Sequence, residues 1–372
     1  MVKPPSGATQ VKKNIPPRNP RVTATISDVA RAAGVSTMTV SRVINGAANV
    51  KPTTLAAVDA AIASLNYAPN PAARSLAGAR PVRIGLLYSN PSAAYLSEFL
   101  VGVLEQASFS HVQLVVEKCI AGSDEVRVAR NLIADGIDGI LLPPPLCDSQ
   151  PVLELLTDHE MPFVVVASGR PAAGVSAVGI DDFAAAHAMT SHLLSLGHVR
   201  VGFISGNPDQ TVSACRQQGY EAALNEVGIK PDPELIAPSL FTYRSGLDAA
   251  EQLLRLPNPP TAIFASNDDM AAATVAAAHS HGLAVPGDLT VCGFDDTAMA
   301  TTIWPELTTV RQPIGDMSRA ALDLLVRKVK AQRAGTVQAP GGHQRLPFTL
   351  VRRQSDAAPR RRPPAMAAVQ VK

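Results

Sequence analysis

The sequence predicts an α/β protein: an N-terminal helical helix-turn-helix domain ahead of a two-lobed body of doubly wound parallel sheets. Three observations carry this. From residue 81 onward, short apolar strands alternate with longer helical segments, the pattern of a parallel sheet covered on both faces. The opening strand recurs, as VRIGLLYSN at 82–90 and VRVGFISGN at 199–207, which marks two similar lobes. Ahead of both, TISDVARAAGVSTMTVSRVING reads as two short helices joined at a glycine.

Composition narrows the class. The chain has 372 residues, 46% hydrophobic and 17% charged, enough for two or three domains with a sizeable core. No apolar run approaches the roughly 18–20 residues of a membrane span. The longest, around Ile137–Leu146, is broken by Asp138, Gly139 and prolines. The segment MVKPPSGATQVKKNIPPRNPRV is polar and Pro-rich, unlike a secretory signal. Cys119, Cys147, Cys215 and Cys292 are far apart in sequence, the expectation for reduced thiols in a cytoplasmic protein.

Charge is unevenly placed. Residues 1–80 hold ten Lys/Arg against two acids, residues 81–351 seventeen against twenty-eight, and residues 352–372 six against one. A basic end on an acidic body predicts that the end meets a polyanion, because Lys and Arg release counterions from phosphates.

Within that basic end, Ser27 is placed to cap a first helix through Ala33, and Gly34 to end it in the left-handed conformation. Ser36 caps a second helix to Asn45, whose Val40, Val43 and Ile44 form a buried stripe. Its other face shows Thr37, Met38, Ser41, Arg42 and Asn45. Pro52 and Thr53 open a third helix with Leu55, Val58, Ile62 and Leu65 as its stripe. Arg can grip guanine through two hydrogen bonds and Met can contact a thymine methyl, so the exposed face suits base reading in a DNA groove.

SDVARAAGVSTMTVSRVING with LNYAPNPAARSLAG resembles the DNA-binding end of the lactose/galactose-repressor (LacI/GalR) family of bacterial transcription regulators. The resemblance implies that Thr37 and Met38 open the recognition helix and read a half-site with Arg42. It implies that Ser36, Ser41, Asn45 and Asn49 hold phosphates or cap helices. Asn70–Gly78 matches the family's hinge helix, with Ala73 and Leu76 entering the minor groove and paired leucines kinking the duplex. Leu55 departs from the family, which usually has Arg there.

In the body, VRIGLLYSN, VQLVVEK (112–118), DGILL (138–142) and PFVVVAS (162–168) read as strands, with helices around 95–107, 123–135 and 149–158. Strands follow at 261–265 and 289–293, and helices near 210–228, 245–256 and 268–282. Ligands of such sheets sit beyond the carboxyl ends of the strands, where Asn90, Asn267 and Asp295 fall. No phosphate loop, zinc-protease pair or nucleophile elbow occurs, and His187 and His192 are spaced wrongly for one metal.

GIDDFAAAHAMTSHLLSLGHVRVGFISG, SACRQQGY, TAIFASNDDMA, VCGFDDTAMATTIWPELTTVRQPI and RLPFTLVRR resemble the same family's effector-binding core, which is periplasmic-binding-protein-like. The resemblance implies that 311–340 return to the first lobe and 343–351 join the second. It also places Arg216 on effector hydroxyls, Asn267, Asp295 and Gln312 in the cleft, and Phe241 against a sugar ring. Asp182 joins them, with Asp181 the alternative inward residue, and Tyr95 and Trp304 are candidate walls. Asp and Arg can each bind adjacent hydroxyls while an aromatic face covers the ring's C–H side. Arg216 could equally hold a carboxylate, so a sugar and a sugar acid such as gluconate both remain open.

The expected organisation is a basic tail (1–24), helix-turn-helix domain (25–69), hinge helix and linker (70–81), effector-binding and dimerisation domain (82–351) and a second basic tail (352–372). The expected function is a non-enzymatic transcriptional regulator, a repressor, bound as a homodimer to double-stranded operator DNA. A carbohydrate-type effector controls it, with no cofactor, metal or membrane partner. A sugar-binding transport protein and a sugar-modifying enzyme are the competing readings.

Overall fold

The structure is a computed structural model that describes residues 24–44, 50–65, 67, 81–336 and 341–360. It divides into two compact units, residues 1–80 and 81–372.

Among the described residues the first unit holds three helices: α1 (Ile26–Ala33), α2 (Thr37–Ile44) and α3 (Pro52–Ser64). The cap of α1 is Thr25 rather than Ser27. Thr25 and Asp28 form a reciprocal capping box, the Thr25 amide donating to Asp28 Oδ2 at 2.9 Å. Gly34 ends α1 at φ +66°, as expected, and Ser36 Oγ accepts from the Thr39 amide at 3.1 Å to start α2. The core is small: Val29, Ala30, Val40, Val43, Val58 and Ala61. With so little interior, α3 buries only a narrow stripe. Leu55 and Leu65, predicted to be part of it, are exposed.

In the second unit, lobe 1 opens with β1 (Arg83–Tyr88), α4 (Ala93–Ser110), β2 (Gln113–Lys118), α5 (Glu125–Ala134) and β3 (Gly139–Leu142). It continues through a 3-10 turn at Leu146–Asp148 into α6 (Gln150–Asp158), β4 (Phe163–Val166) and β5 (Ala177–Gly179). Lobe 2 contains α7 (Asp182–Ser195), β6 (Val201–Ile204), α8 (Thr211–Glu226), β7 (Ile236–Ala237) and α9 (Tyr243–Leu254). Next come β8 (Ala262–Ala265), α10 (Asp268–Ser280), β9 (Thr290–Asp295), α11 (Met299–Thr302) and β10 (Thr308–Arg311). The chain then returns to lobe 1 for α12 (Ile314–Arg333) and β11 (His343–Arg345), and ends in lobe 2 with β12 (Thr349–Val351).

The lobe 1 sheet has the order β11-β5-β4-β3-β1-β2 and that of lobe 2 β12-β10-β9-β8-β6-β7. All pairings between these strands are parallel except β12 with β10. The crossing near 345–349 corrects one expectation. Residues 343–345 pair with β5 and belong to lobe 1, and only 349–351 join lobe 2.

The strands are continuous apolar runs because both faces are covered: Ile84, Leu86, Leu141, Val164 and Val166 in lobe 1 and Val201, Phe203, Phe264 and Phe294 in lobe 2 are all buried. Glycine allows close helix contacts. A Cβ on Gly102 of α4 would collide with Gly315 and Ser318 of α12.

Part of the segment expected to be a second basic tail belongs to lobe 2. Residues 352–360 lie on lobe 2, where Ser355 and Asp356 are buried. Ser355 Oγ donates to the Val291 carbonyl at 2.6 Å and accepts from the Thr308 amide at 2.8 Å. Asp356 accepts from Thr308 and pairs with His192 at 2.7 Å. Composition missed this, because polar partners rather than apolar side chains dock the segment.

Candidate functional site

The strands of both sheets point their carboxyl ends at one cleft in the second unit. Asn90, Pro91, Ser92, Tyr95, Pro144 and Ala167 line it from lobe 1. Gln210, Val212, Arg216, Phe241, Asn267, Asp295 and Gln312 line it from lobe 2. Seven of the residues selected from sequence thus come together: Asn90, Tyr95, Arg216, Phe241, Asn267, Asp295 and Gln312. The open space is about 40 Å³, and hydrogen bonds between Asp148 of lobe 1 and Thr211 of lobe 2 hold the two sides together.

Arg216 is the electrostatic centre, only 4% exposed on α8. Its Nε donates to Asp182 Oδ1 at 2.9 Å, and Nη1 donates to the Ser266 carbonyl. The guanidinium lies 3.7 Å from the centroid of Phe294, and Asp295 Oδ1 is 3.9 Å from Nη1. One cation therefore faces two buried carboxylates. Burial raises Asp295, Arg216 and Gln312 pull it back, Asp269 and Asp182 add to the rise, and the result is about 7. Burial also raises Asp182 despite its bond to Arg216.

The choice between Asp181 and Asp182 is decided by the helix start. Asp181 caps α7, accepting from the Ala184 amide at 3.0 Å, and pairs with Arg345 on the outside. Asp182, one residue on, turns inward to Arg216. Asn267 caps α10 through the Met270 amide at 2.9 Å, and its Nδ2 donates to the Phe241 carbonyl at 3.1 Å. It thereby fixes the Phe241 loop.

Strained backbone gathers here. Ala167, Phe241 and Asp295 all have positive φ, at 53°, 59° and 112°, and all three line the cleft. Phe241 needs Gly206 opposite, because a Cβ there would overlap its ring.

Trp304 does not join the site. It is 74% exposed in the turn after α11 and absent from the cleft lining. Conversely, Ser92, Gln210 and the pair Asp148–Thr211 were not selected from sequence. Ser92 follows Asn90-Pro91 as the cap of α4, a signal available in the sequence; Gln210 and Asp148 carry none.

In the first unit, Thr37, Met38 and Arg42 are exposed on α2, Met38 by 66%, while Val40 and Val43 are buried beneath them. Ser36 is an exposed cap and Ser41 is half-buried. Asn45, Asn49, Asn70, Ala73 and Leu76 lie outside the described residues.

Fold and site together define a two-lobed ligand-binding body with a helix-turn-helix unit on the same chain. Residues 25–70 match the family described as bacterial regulatory proteins, lacI family, and residues 190–355 match a periplasmic binding protein-like domain. Catabolite control protein A of Priestia megaterium is 34% identical over 320 residues, 85% of this chain and 96% of that one. The ribose operon repressor of Escherichia coli K12 is 36% identical over 312 residues, 82% and 93% of the two chains. Among solved structures, a transcriptional regulator CelR–cellobiose complex superposes with TM-score 0.68 at 31% identity, covering 89% of this chain and 99% of that one. The Lac repressor dimer bound to operator and an anti-inducer gives TM-score 0.71 at 28% identity, with 90% and 100% covered. The chain belongs to the LacI family and is a DNA-binding transcriptional regulator. No described helix is long and apolar enough to cross a membrane.

Proposed function

We propose that the protein is a repressor that binds operator DNA as a homodimer, and that a carbohydrate-type effector in the cleft sets its operator affinity. The observation that carries the effector reading is the cleft itself. Asp295, Arg216, Gln312 and Tyr95 are brought beside Phe241 at the strand ends, polar hydrogen-bonding groups next to an aromatic face. The cellobiose complex and the ribose operon repressor among its relatives support that ligand class.

On the DNA side, Thr37, Met38 and Arg42 read bases while Ser36, Ser41, Asn45 and Asn49 serve phosphates and caps. Asn70, Ala73 and Leu76 act from the hinge at 70–81. The effector domain runs from 82 to about residue 360, since Ser355 and Asp356 are part of its interior. Work in the cytoplasm and regulation by binding rather than turnover complete the reading. An operator, isolated by selection from genomic fragments, is expected to bind the chain with an affinity that a stabilising sugar changes; equal binding to any DNA and indifference to every sugar would refute it.

Effector binding biases an equilibrium between open and closed lobes, and the difference reaches DNA through the paired hinges. The hydrogen bonds of Thr211 to Asp148 join the two lobes beside the cleft and are made only when the lobes meet.

A further inference from the structure

Asp295 does not reach the cleft by local backbone preference. It and Asp296 are consecutive non-glycine residues with positive φ, 112° and 59°. L side chains rarely adopt that path, so the surroundings must hold it.

Asp268, the first residue of α10, supplies the hold. It is 1% exposed and is not among the residues lining the cleft. Its Oδ2 accepts from the Thr297 amide at 2.8 Å and the Thr297 hydroxyl at 3.2 Å. Its Oδ1 accepts from the Thr309 hydroxyl at 2.7 Å. Thr297 directly follows the strained pair, and Thr309 lies on β10, which pairs with β9, the strand that ends in Asp295. The carboxyl thus ties the exit of the turn to a helix start and to the neighbouring strand. Glycine at 293 admits it, because a Cβ there would collide with Asp268 Oδ1. Asp296 turns away to accept from Arg311 Nε at 2.6 Å, which leaves Asp295 as the carboxyl aimed at the cleft.

Burial, and then the Asp295 charge, push the Asp268 carboxyl well above its ordinary range, against the pull of its bonds to Thr309 and Thr297. Hydrogen-bond geometry therefore carries the contact more than charge does. A side-chain amide of the same shape reproduces it, its oxygen accepting from Thr297 and its NH2 donating to the Thr309 hydroxyl. The same helix start serves the aromatic wall, since Asn267 donates to the Phe241 carbonyl. Two adjacent residues fix two strained segments of the cleft.

We propose that Asp268 is a positioning residue of the cleft: it holds the Asp295–Asp296 turn so that Asp295 faces inward, and it sets effector affinity without touching the effector. For its ligand this rests on the carbohydrate-effector reading above; for the turn itself it does not.

Calorimetric titration of the full chain with D-ribose, D-glucose and cellobiose tests this beside hydrogen exchange of the free protein, read by mass spectrometry. Asp268→Ala should bind the sugar that the parent binds about ten-fold more weakly or worse. Well below its Tm, its amides at 295–303 should exchange faster while those of β1 and β3 keep the parental rate. Asp268→Asn should restore the affinity to within about three-fold of the parent, and the exchange with it. If Asp268→Ala does not fold, Thr309→Val, which keeps the shape and removes one donor, should move both readouts in the same direction. A residue that merely stabilises lobe 2 would lower the Tm and leave the affinity of the folded protein unchanged. Parental affinity in Asp268→Ala therefore overturns the proposal, as does an asparagine variant as weak as alanine. If no sugar binds the parent chain, the carbohydrate reading falls and exchange alone decides the turn: local loss restored by asparagine upholds it, and unchanged protection overturns it.

Discussion

Asp148 of lobe 1 accepts hydrogen bonds from both the backbone amide (2.8 Å) and the hydroxyl (3.0 Å) of Thr211 of lobe 2. Ser168, after β4, adds a bond to the same carboxylate at 2.6 Å, and Thr211 Oγ1 accepts from the Gly169 amide at 2.9 Å. The cluster latches the two lobes beside the cleft. Hydrogen bonds to charged groups contribute about 1.5–3 kcal/mol, and here that energy is present only when the lobes meet.

Removing the latch should therefore favour the open state. Asp148→Ala is expected to weaken effector binding roughly ten-fold, about 1.4 kcal/mol, with a larger radius of gyration for the free protein in X-ray scattering. Unchanged affinity and radius would show that the latch contributes nothing to closure.

Arg216→Met would leave Asp182 and Asp295 buried with their shared cation gone. Breaking a buried pair from one side costs about 3–5 kcal/mol. The Tm at pH 8 should fall by many degrees, and the deficit should shrink on acidification as the carboxyls take up protons. A pH-independent deficit would mean that lost packing dominates.

Asp295 gives a signed pH dependence. Its carboxyl stands at about 7 in the folded chain, above the ordinary value of 3.8. Its stabilising contribution is complete below about pH 4 and is lost as pH rises through about 7. Compared with Asp295→Asn by thermal denaturation, the parent chain should thus lose Tm between pH 5 and 8. Hydroxyl donors favour the ionised form, so effector affinity in the parent should rise over the same range.

Gly206→Ala tests the aromatic wall. The added methyl cannot coexist with the Phe241 ring in its present place. Sugar binding should be lost in calorimetry while most of the Tm is retained, because the displaced loop lies at the cleft rim and not in the sheet.

On α2, Met38→Ala and Arg42→Ala alter exposed side chains. Each should leave the Tm unchanged and weaken operator binding by about 1–3 kcal/mol, with sequence preference relaxed. Fluorescence anisotropy on operator and scrambled duplexes separates this from a general loss of phosphate contacts, which would weaken both equally.

The sequence made the parallel lobes legible because β1, β3, β4, β6 and β8 are buried on both faces and read as unbroken apolar runs. The two- and three-residue strands β5, β7, β11 and β12 carry no comparable period. Asn90, Asn267 and Asp295 were legible as polar residues closing apolar strands. Trp304 was misplaced because an aromatic in a turn has no periodicity to tell a wall from a solvent-facing side chain. The Asp148–Thr211 latch joins residues far apart in sequence, a relationship only the crossing of the chain between lobes creates. Likewise Ser355 and Asp356 look like part of a polar tail until Thr308 and His192 are brought to them.

The central claim, one chain coupling a ligand cleft to DNA, is tested most directly by operator affinity measured across salt with and without the sugar that stabilises the protein. The account predicts a steep fall of log K with log salt, as phosphate contacts require, and a shift of ten-fold or more on adding the sugar. A flat salt dependence, or an operator affinity untouched by a sugar shown to occupy the cleft, would contradict it.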